Sequence, residues 1–287
     1  MEPLEFTSSG RRGEDYFRQE KKSFFDFLRR YQRLILTKLN GVSFLQFPNL
    51  ISFPDIGHGV FTRNGGFSKE PYMSLNVSCG VGDDSEVVEH NRAIVSMCMD
   101  NNELIFARQV HDTGVVIVSE HGTDTSVFPT GDSMISDLYN KMLVIKVADC
   151  QSVLIYDPIR KVVANVHSGW RGSIKNVIGC TVSTMEERFN CSPSDLVVGI
   201  SPSLGPCCAE FVNYDKEIPE EFWKYRIYSD HFDFWQISID QLCIAGVKHG
   251  NIYSSKICTK CNTALFFSYR GEKHTGRFAS VIGLKRN

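Results

Sequence analysis

The stretch VADCQSVLIYDPIRKVVANVHSGWRG, from Val147 to Gly172, decides how this chain folds. It contains two runs rich in β-branched residues, 150–156 and 161–167, on either side of the tetrapeptide Asp157-Pro158-Ile159-Arg160. That tetrapeptide has the composition of a tight turn, in which proline presets one backbone angle. The stretch therefore predicts a β-hairpin.

The register of this hairpin decides which side chains meet. If the strands close symmetrically about the turn, Tyr156 faces Lys161 and Cys150 lies opposite His167, with Cβ atoms ~5 Å apart. A loop with an odd number of residues would instead move Cys150 and His167 onto opposite faces. In the symmetric register, strand alternation gives a core face of Val153, Ile155, Val162, Ala164 and Val166. The opposite face is expected to be a polar, functional surface with Cys150, Ser152, Asn165 and His167.

A glycine-bearing turn, Ser168–Gly172, follows the hairpin. Beyond it, the spacing predicts an amphipathic helix of about 15 residues from Ile174, Val177, Ile178, Val182 and Met185. Such a turn leaves free backbone N–H groups at the start of a helix, which suits an anion. Gly169 and Arg171 are therefore candidates for binding phosphate or carboxylate.

Composition narrows the class of protein. With 287 residues, 42% apolar and 22% charged, the chain is typical of a soluble globular protein. A net charge of −2 argues against nucleic acid or membrane partners and favours a small-molecule or protein partner. We expect a monomer or small homo-oligomer. The N-terminus lacks the apolar core of a signal peptide, so a cytoplasmic location with reduced cysteines is expected.

The pattern along the chain predicts an extension followed by one domain. Apolar residues recurring between Lys21 and Leu39 predict an amphipathic helix within an N-terminal extension, 1–42. The domain, 43–287, interleaves strands and helices, which predicts a mixed-sheet α/β or α+β fold with packed helices. Helices are predicted at 85–99 and 238–248, a loop at 131–137, and strands at 58–63, 72–79, 104–111, 115–119, 142–148, 196–200, 266–270 and 278–284.

His111, Cys150 and His167 each stand at the end of a predicted strand. One thiolate and two imidazoles make a three-ligand zinc set, and the open fourth position is typical of catalytic rather than structural zinc. In the alternative interpretation, Cys150 is a nucleophile with His167 as its base, in a metal-free hydrolase or deamidase.

Other candidates carry weaker signals. Cys258-Thr259-Lys260-Cys261 is a lone CxxC that, with Cys207-Cys208, can be interpreted as a four-sulfur zinc site. Because no second CxxC exists, turn and core cysteines are the favoured interpretation. For Arg63 and Asn76, a surface salt bridge or a turn hydrogen bond is favoured for each residue taken alone.

Several motifs, in this order, resemble the laccase-domain or YfiH-type family, also called the multicopper polyphenol oxidase family: HGVFTRNGG, YMSLNVSCGVGDD, RQVHD, VADCQSVLIYDP, VHSGWRG, SPSLGPCC and FFSYR with TGR. The resemblance extends from about residue 44 to the C-terminus. It implies the fold of that family, related to the cytotoxic necrotizing factor catalytic domain.

The resemblance also implies a function. The matching residues bind zinc, which carries over to His111, Cys150 and His167. The implied activity is purine nucleoside phosphorolysis, in which phosphate displaces the base of adenosine, inosine or methylthioadenosine to give a pentose 1-phosphate. Adenosine deaminase activity is implied as well. Arg171, with Cys150 and His167, is then a catalytic candidate, and the candidate residues for substrate or phosphate are Arg63, Asn76, Asp149, Gly169 and Arg171.

Two further functions remain open. Copper-dependent phenol oxidation is implied by the older family name, but the chain's 8 histidines contain no His-x-His pair for a multicopper cluster. Single-copper chemistry stays open, because two His and one Cys also suit copper. A non-enzymatic alternative is a partner-binding protein whose zinc is closed by a fourth protein ligand.

The sequence departs from the family pattern at three places. Cys79 stands where a histidine before VGDD is common, so any binding role of that histidine is absent. The 38 residues between His111 and Cys150 form a slightly long segment, which is expected to reshape the pocket mouth. The predicted N-terminal helix lies outside the resemblance.

Overall fold

The computed structural model describes residues 34–39, 41–119 and 129–286. From Ile35 onward they belong to a compact unit spanning Ile35–Asn287. Within these ranges the strands are β1 (Ile35–Leu39), β2 (Val42–Gln46), β3 (Ile56–Phe61), β4 (Glu103–Phe106), β5 (Val115–Ile117), β6 (Ser133–Ser136), β7 (Lys141–Val147), β8 (Gln151–Asp157), β9 (Val162–Ser168), β10 (Val197–Ile200), β11 (Arg226–Tyr228), β12 (His231–Phe232), β13 (Ile252–Ser254) and β14 (Phe278–Leu284).

The α-helices of the same ranges are α1 (Pro48–Ile51), α2 (Ser85–Cys98), α3 (Trp170–Ile174), α4 (Val177–Phe189), α5 (Tyr214–Glu217), α6 (Phe234–Ile244) and α7 (Tyr269–Glu272). Short 3-10 helices span Cys79–Val81, Pro193–Asp195, Glu220–Tyr225, His249–Asn251 and Lys260–Asn262. No described helix is long and apolar enough to cross a bilayer.

Two six-stranded sheets form the body of the domain. The first has the strand order β1-β2-β3-β14-β7-β4, and the second has the order β13-β10-β8-β9-β6-β5. Both are mixed, because β4 runs parallel to β7, while β10 pairs in parallel with β13 and β5 with β6. The predicted mixed-sheet α+β class is therefore confirmed.

Helices cover the sheets with apolar side chains. α2 packs on the first sheet through Ile94, Val95 and Cys98, against residues that include Val144 and Val281. α4 and α6 pack on the core face of the β8–β9 hairpin, and the predicted set of Val153, Ile155, Val162, Ala164 and Val166 lies in that core. Burial of these apolar faces is the main stabilising contribution.

The polar face of the hairpin lies between the sheets. Asn165 is fully buried, and its amide donates to the backbone oxygens of Leu143 in β7 and Ser280 in β14, both at 2.9 Å. Its side-chain oxygen accepts from the hydroxyl of Ser152 at 2.6 Å. The expectation of a polar surface was therefore wrong along most of this face, because the first sheet covers it and its backbone oxygens accept from Asn165.

The predicted hairpin register was wrong by two residues. Asp157 pairs with Val162, and Ser152, not Cys150, lies opposite His167. The loop has four residues, ending at Lys161 in the left-handed region with φ 56°, while the Asp157 carboxylate accepts from the N–H groups of Ile159 and Arg160. An even loop preserves the alternation, so Cys150, two residues before Ser152, stays on the same face as His167.

Several other element predictions were wrong. Residues 35–39, predicted as the end of the N-terminal helix, form β1 paired with β2, and residues 21–33 of that helix lie outside the described ranges. The predicted loop at 131–137 contains β6, which pairs with β9. Residues 72–79, predicted as a strand, form an irregular segment that ends in a 3-10 helix. Residues 266–270, also predicted as a strand, lead into α7 and include its first two residues.

The helices predicted after the hairpin and near residue 240 are shifted for local reasons. The long helix after Gly172 is broken into α3 and α4 at Asn176, which is left-handed with φ 59° and caps α4 by accepting from the N–H of Gly179. α6 begins earlier than predicted because the Asp233 carboxylate caps it by accepting from the N–H of Gln236.

Asn165 tests the link between the sheets. Replacing Asn165 with alanine removes three buried hydrogen bonds, each contributing roughly 1 kcal/mol, so we expect the free energy of unfolding to fall by about 3 kcal/mol. Urea denaturation measures this change. The exposed Asn64, with one hydrogen bond to Ala264 O, serves as the control, and an equal loss in Asn165→Ala and Asn64→Ala would contradict the link.

Candidate metal centre and active site

Three side chains from distant parts of the sequence meet beside the open end of the hairpin. Nε2 of His111 lies 3.9 Å from Sγ of Cys150, and the rings of His111 and His167 have centroids 4.8 Å apart. One ligand atom from each residue lies within 4.8 Å of the other two. A tetrahedral site with bonds of about 2.0–2.3 Å separates its ligand atoms by roughly 3.3–3.8 Å, so the three residues fit a metal ion after small adjustments.

Different elements deliver the three ligands. His167 lies at the end of β9, and Cys150 directly precedes β8. His111 lies in the loop between β4 and β5, where its backbone is left-handed with φ 61°. A non-glycine residue rarely adopts this conformation, and such strain is most common where function holds it.

Asp132 organises the site. Its fully buried carboxylate accepts from the backbone N–H groups of Val110, His111 and Asp112 at 2.9–3.1 Å. Its Oδ1 also lies 2.7 Å from Nδ1 of His167. This contact assigns the proton to Nδ1 and leaves Nε2 of His167 free to bind a metal, which is the usual carboxylate support for such a histidine.

The electrostatics favour charge on these groups. Burial opposes ionisation of Asp132, but hydrogen bonds from His167 and from backbone N–H groups lower the pKa of that carboxyl to about 2. Burial likewise raises the pKa of the Cys150 thiol, yet the two imidazoles outweigh it and lower this pKa to about 6. The thiolate is the form that binds metals and acts as a nucleophile.

Glycine is required at position 169 because neighbouring side chains approach the backbone closely, and not because of its backbone angles. A Cβ atom at this position would lie 2.9 Å from Cδ2 of His111 and 3.0 Å from Sγ of Cys150. Gly169 also precedes α3 as its N-cap residue. The glycine that sequence analysis assigned to phosphate therefore lies against two of the metal-ligand candidates.

A cavity of about 960 Å³ opens beside the three residues. Its wall contains His111, Cys150 and His167 together with Ser78, Cys79, Gly80, Val81, Arg92, Ala107, Arg108, Gln109, Thr130, Lys146, Val147, Ala148, Tyr269 and Arg277. Four of these residues are cationic, so the cavity suits an anionic ligand. Its volume is in the range of sites for small molecules.

Lys146 is the candidate residue that sequence analysis missed. Burial and the neighbouring Arg92 lower the pKa of its ammonium group to about 8, and its Nζ donates to Ala107 O at 3.2 Å. A signal was present, since Lys146 is the one charge in the apolar run MLVIKVA of β7. Arg92 and Arg277 carried no comparable signal, because their positions depend on distant elements.

The predicted phosphate-binding residues take different places. Arg63 donates to Met73 O, Thr263 O and the Glu272 carboxylate, and Asn76 is fully buried with its amide bonded to Ser78 O and Asp83. Arg171 is exposed and lies over the Trp170 ring at 4.7 Å. None of the three belongs to the described cavity wall, and their phosphate roles stay predictions that this arrangement does not favour.

Asp149 is held rigidly beside Cys150. Its carboxylate accepts from the Thr259 hydroxyl at 2.6 Å and from the N–H of Arg270 at 2.5 Å. Its backbone is left-handed with φ 89°, so these contacts hold the chain in an unfavourable conformation next to a ligand candidate.

The fold and the site together define a class of proteins with two packed sheets and a three-ligand centre of two histidines and one cysteine in a basic cavity. A family profile described as "Multi-copper polyphenol oxidoreductase laccase" matches residues 57–285. The chain belongs to this family, which confirms the resemblance seen in the sequence.

Named relatives and solved structures agree with this assignment. The chain is 32% identical to purine nucleoside phosphorylase YlmD of Geobacillus stearothermophilus over 78% of this chain and 89% of that protein. It is 31% identical to a purine nucleoside phosphorylase of Bacteroides thetaiotaomicron over 83% and 95%. The crystal structure of YlmD from Geobacillus stearothermophilus superposes with a TM-score of 0.77 at 30% identity, covering 87% of this chain and 98% of that one.

Replacing Asp132 with asparagine tests the support of His167. An amide cannot accept the same set of hydrogen bonds, so we expect zinc affinity at the site to fall by roughly 10- to 100-fold. Competition with a chromophoric chelator measures this affinity. Asp137→Asn, at an exposed position five residues away, should bind as the unaltered chain does, and equal affinities in both variants would argue against a supporting role.

Proposed function

We propose that this chain is a zinc-dependent purine nucleoside phosphorylase. It cleaves adenosine, inosine or methylthioadenosine with phosphate to the free base and a pentose 1-phosphate. The observation that carries the proposal is the cavity that joins cationic side chains to the centre formed by His111, Cys150 and His167. The names of the relatives support the same activity.

The cationic residues of the wall bind the attacking phosphate. Lys146 and Arg277 are partly buried, so their attraction for a dianion is screened less than that of exposed cations. Arg108 is exposed in the wall, with Gln109 beside it. Together these groups hold phosphate where one of its oxygens faces the sugar.

The reaction needs the nucleoside and the phosphate bound together in a fixed relative orientation. A phosphate oxygen forms a bond to C1′ as the C1′–N9 bond breaks, and the purine takes the electron pair and a proton. The Tyr269 ring, in the cavity wall, offers a face on which a purine stacks. Bringing the two substrates together in this way supplies much of the rate enhancement of a bimolecular reaction.

The residues present fit zinc. His111, Cys150 and His167 would hold it, and Asp132 would orient His167. When bound, the ion supplies Lewis-acid polarisation of a substrate atom. Among the described residues, one cluster combines His and Cys ligands, and its three ligands are too few for several copper ions. Phenol oxidation by a multicopper cluster is therefore not favoured.

A second candidate is a metal-free cysteine hydrolase. It is favoured by the chain of Cys150, His167 and Asp132, in which a carboxylate orients an imidazole beside a thiol. The two candidates differ in metal dependence. Removing the metal with a chelator abolishes the phosphorylase and leaves the hydrolase active.

Product analysis tests the proposal. Inosine incubated with zinc-loaded protein should give hypoxanthine and ribose 1-phosphate only when phosphate is added, and Cys150→Ala should lose at least 100-fold in rate because a metal ligand is removed. Cys180→Ala, at an exposed cysteine on α4, should keep full activity. Conversion of adenosine to inosine without phosphate would indicate deamination instead, and no product from the metal-loaded chain would refute the proposal.

Lys146 gives the reaction a pH dependence. Its folded-state pKa is lowered to about 8, so the ammonium is charged below that pH and neutral above it. We expect KM for phosphate to rise as pH increases through 8. Lys146→Met should raise KM about tenfold at neutral pH, corresponding to one charged hydrogen bond, and remove this dependence.

Lys248→Met, at an exposed lysine on the surface, should leave both the KM and its pH profile unchanged. Steady-state rates at varied phosphate on either side of pH 8 measure these effects. The same pH profile in the unaltered chain and in Lys146→Met would remove Lys146 from the phosphate site.

A further inference from the structure

Four cysteines form a second cluster apart from the centre described above. Sγ of Cys261 lies 3.6 Å from Sγ of Cys207 and 3.6 Å from Sγ of Cys208. All four sulfurs, including that of Cys258, lie within 4.8 Å of one another. Sequence analysis favoured separate turn and core cysteines, but the fold brings residues about fifty positions apart into one group.

The spacing of the sulfurs matches one tetrahedral metal ion. Zn–S bonds of about 2.3 Å place the sulfurs of a four-cysteine site roughly 3.8 Å apart, close to the observed 3.6 Å. A disulfide would instead need an S–S distance of about 2.05 Å. Four thiolates select zinc or iron over the harder cations, and a cluster of several irons would hold the sulfurs further apart than these are.

Two loops supply the ligands, and backbone contacts align them. Ser203 pairs in parallel with Cys258, with the N–H of Thr259 donating to Ser203 O at 3.0 Å. A turn closed by the N–H of Cys208 on Gly205 O presents Cys207 and Cys208. The buried Cys258 sulfur accepts hydrogen bonds from the backbone N–H groups of Gly205 and Cys261. Such support for a sulfur is typical of the surroundings that orient metal ligands.

The same loops reach the metal centre of the proposed active site. Thr259 donates its hydroxyl to the Asp149 carboxylate at 2.6 Å, and the N–H of Leu204 donates to Asp149 O at 2.8 Å. Both loops of the cysteine cluster thus hold Asp149, whose left-handed backbone leads into Cys150. A metal ion joining the two loops would fix this segment.

We propose that Cys207, Cys208, Cys258 and Cys261 bind one zinc ion as a structural site that joins the two loops holding Asp149. The ligand set is closed by four protein sulfurs, which is the arrangement of structural rather than catalytic zinc. The full chain therefore binds two zinc ions, one in each centre. This inference is independent of the reaction catalysed.

Metal content tests the proposal. The full chain is purified under reducing conditions and saturated with zinc, and the excess is then removed. It should contain two zinc ions per chain by inductively coupled plasma mass spectrometry. The double variant Cys207→Ser/Cys261→Ser should contain one, and Cys150→Ala should also contain one. The matched control Cys180→Ser/Cys243→Ser, at two cysteines outside both groups, should keep two.

Cobalt provides a readout that does not depend on folding of the double variant. Cobalt(II) added to Cys150→Ala should give the intense visible bands of a tetrahedral four-thiolate site with one equivalent bound. Thermal unfolding should occur at a lower temperature in Cys207→Ser/Cys261→Ser than in the control. The proposal would be overturned if the unaltered chain bound one zinc ion, lost this ion in Cys150→Ala and gave no such cobalt bands. Disulfides among these cysteines in the reduced, metal-loaded chain would also overturn it.

Discussion

The site depends on one buried carboxylate. Asp132 carries no exposed surface, yet it stays ionised because three successive backbone N–H groups and an imidazole point at it. The N–H groups belong to the loop that presents His111, and the imidazole is that of His167, so the same group positions two ligands. In addition, the N–H of His167 donates to Asp132 O at 2.6 Å. These hydrogen bonds offset the cost of burying the charge. Asp132 thereby ties a loop to a strand at the point where chemistry is proposed.

The fold makes this convergence possible by placing polar groups between two sheets. Asn165 bridges β9 to β7 and β14, so the strand that ends in His167 is fixed relative to the strand that leads to Cys150. Asp149 is held from the opposite side by the loops that carry the cysteine cluster. His167 therefore lies on a fixed strand and Cys150 directly beside one, while Asp132 holds the loop that presents His111. Such support holds a metal centre more precisely than mobile loops would.

Local patterns predicted the hairpin, its core face and helix α2, because alternation and helical spacing are properties of short segments. The three ligand candidates were predicted from the ends of strands and from family motifs. The register slipped by two residues because the four-residue loop spans 158–161 rather than 157–160, and composition does not fix where such a loop begins. Residues 35–39 fit a helical pattern but form β1, since pairing with β2 overrides local propensity. Lys146 carried a local signal as the one charge in the apolar run MLVIKVA. The position of Arg277 and the meeting of the two cysteine pairs depend on contacts between distant segments, which no local pattern encodes.

X-ray absorption spectroscopy at the zinc edge determines whether His111, Cys150 and His167 form a metal centre. The measurement uses zinc-loaded Cys207→Ser/Cys261→Ser, in which the cysteine cluster cannot contribute four sulfurs. We expect one sulfur at about 2.3 Å and two imidazole nitrogens at about 2.0–2.1 Å, with the sulfur lost in Cys150→Ala. A zinc environment without sulfur, or one unchanged by Cys150→Ala, would contradict this expectation.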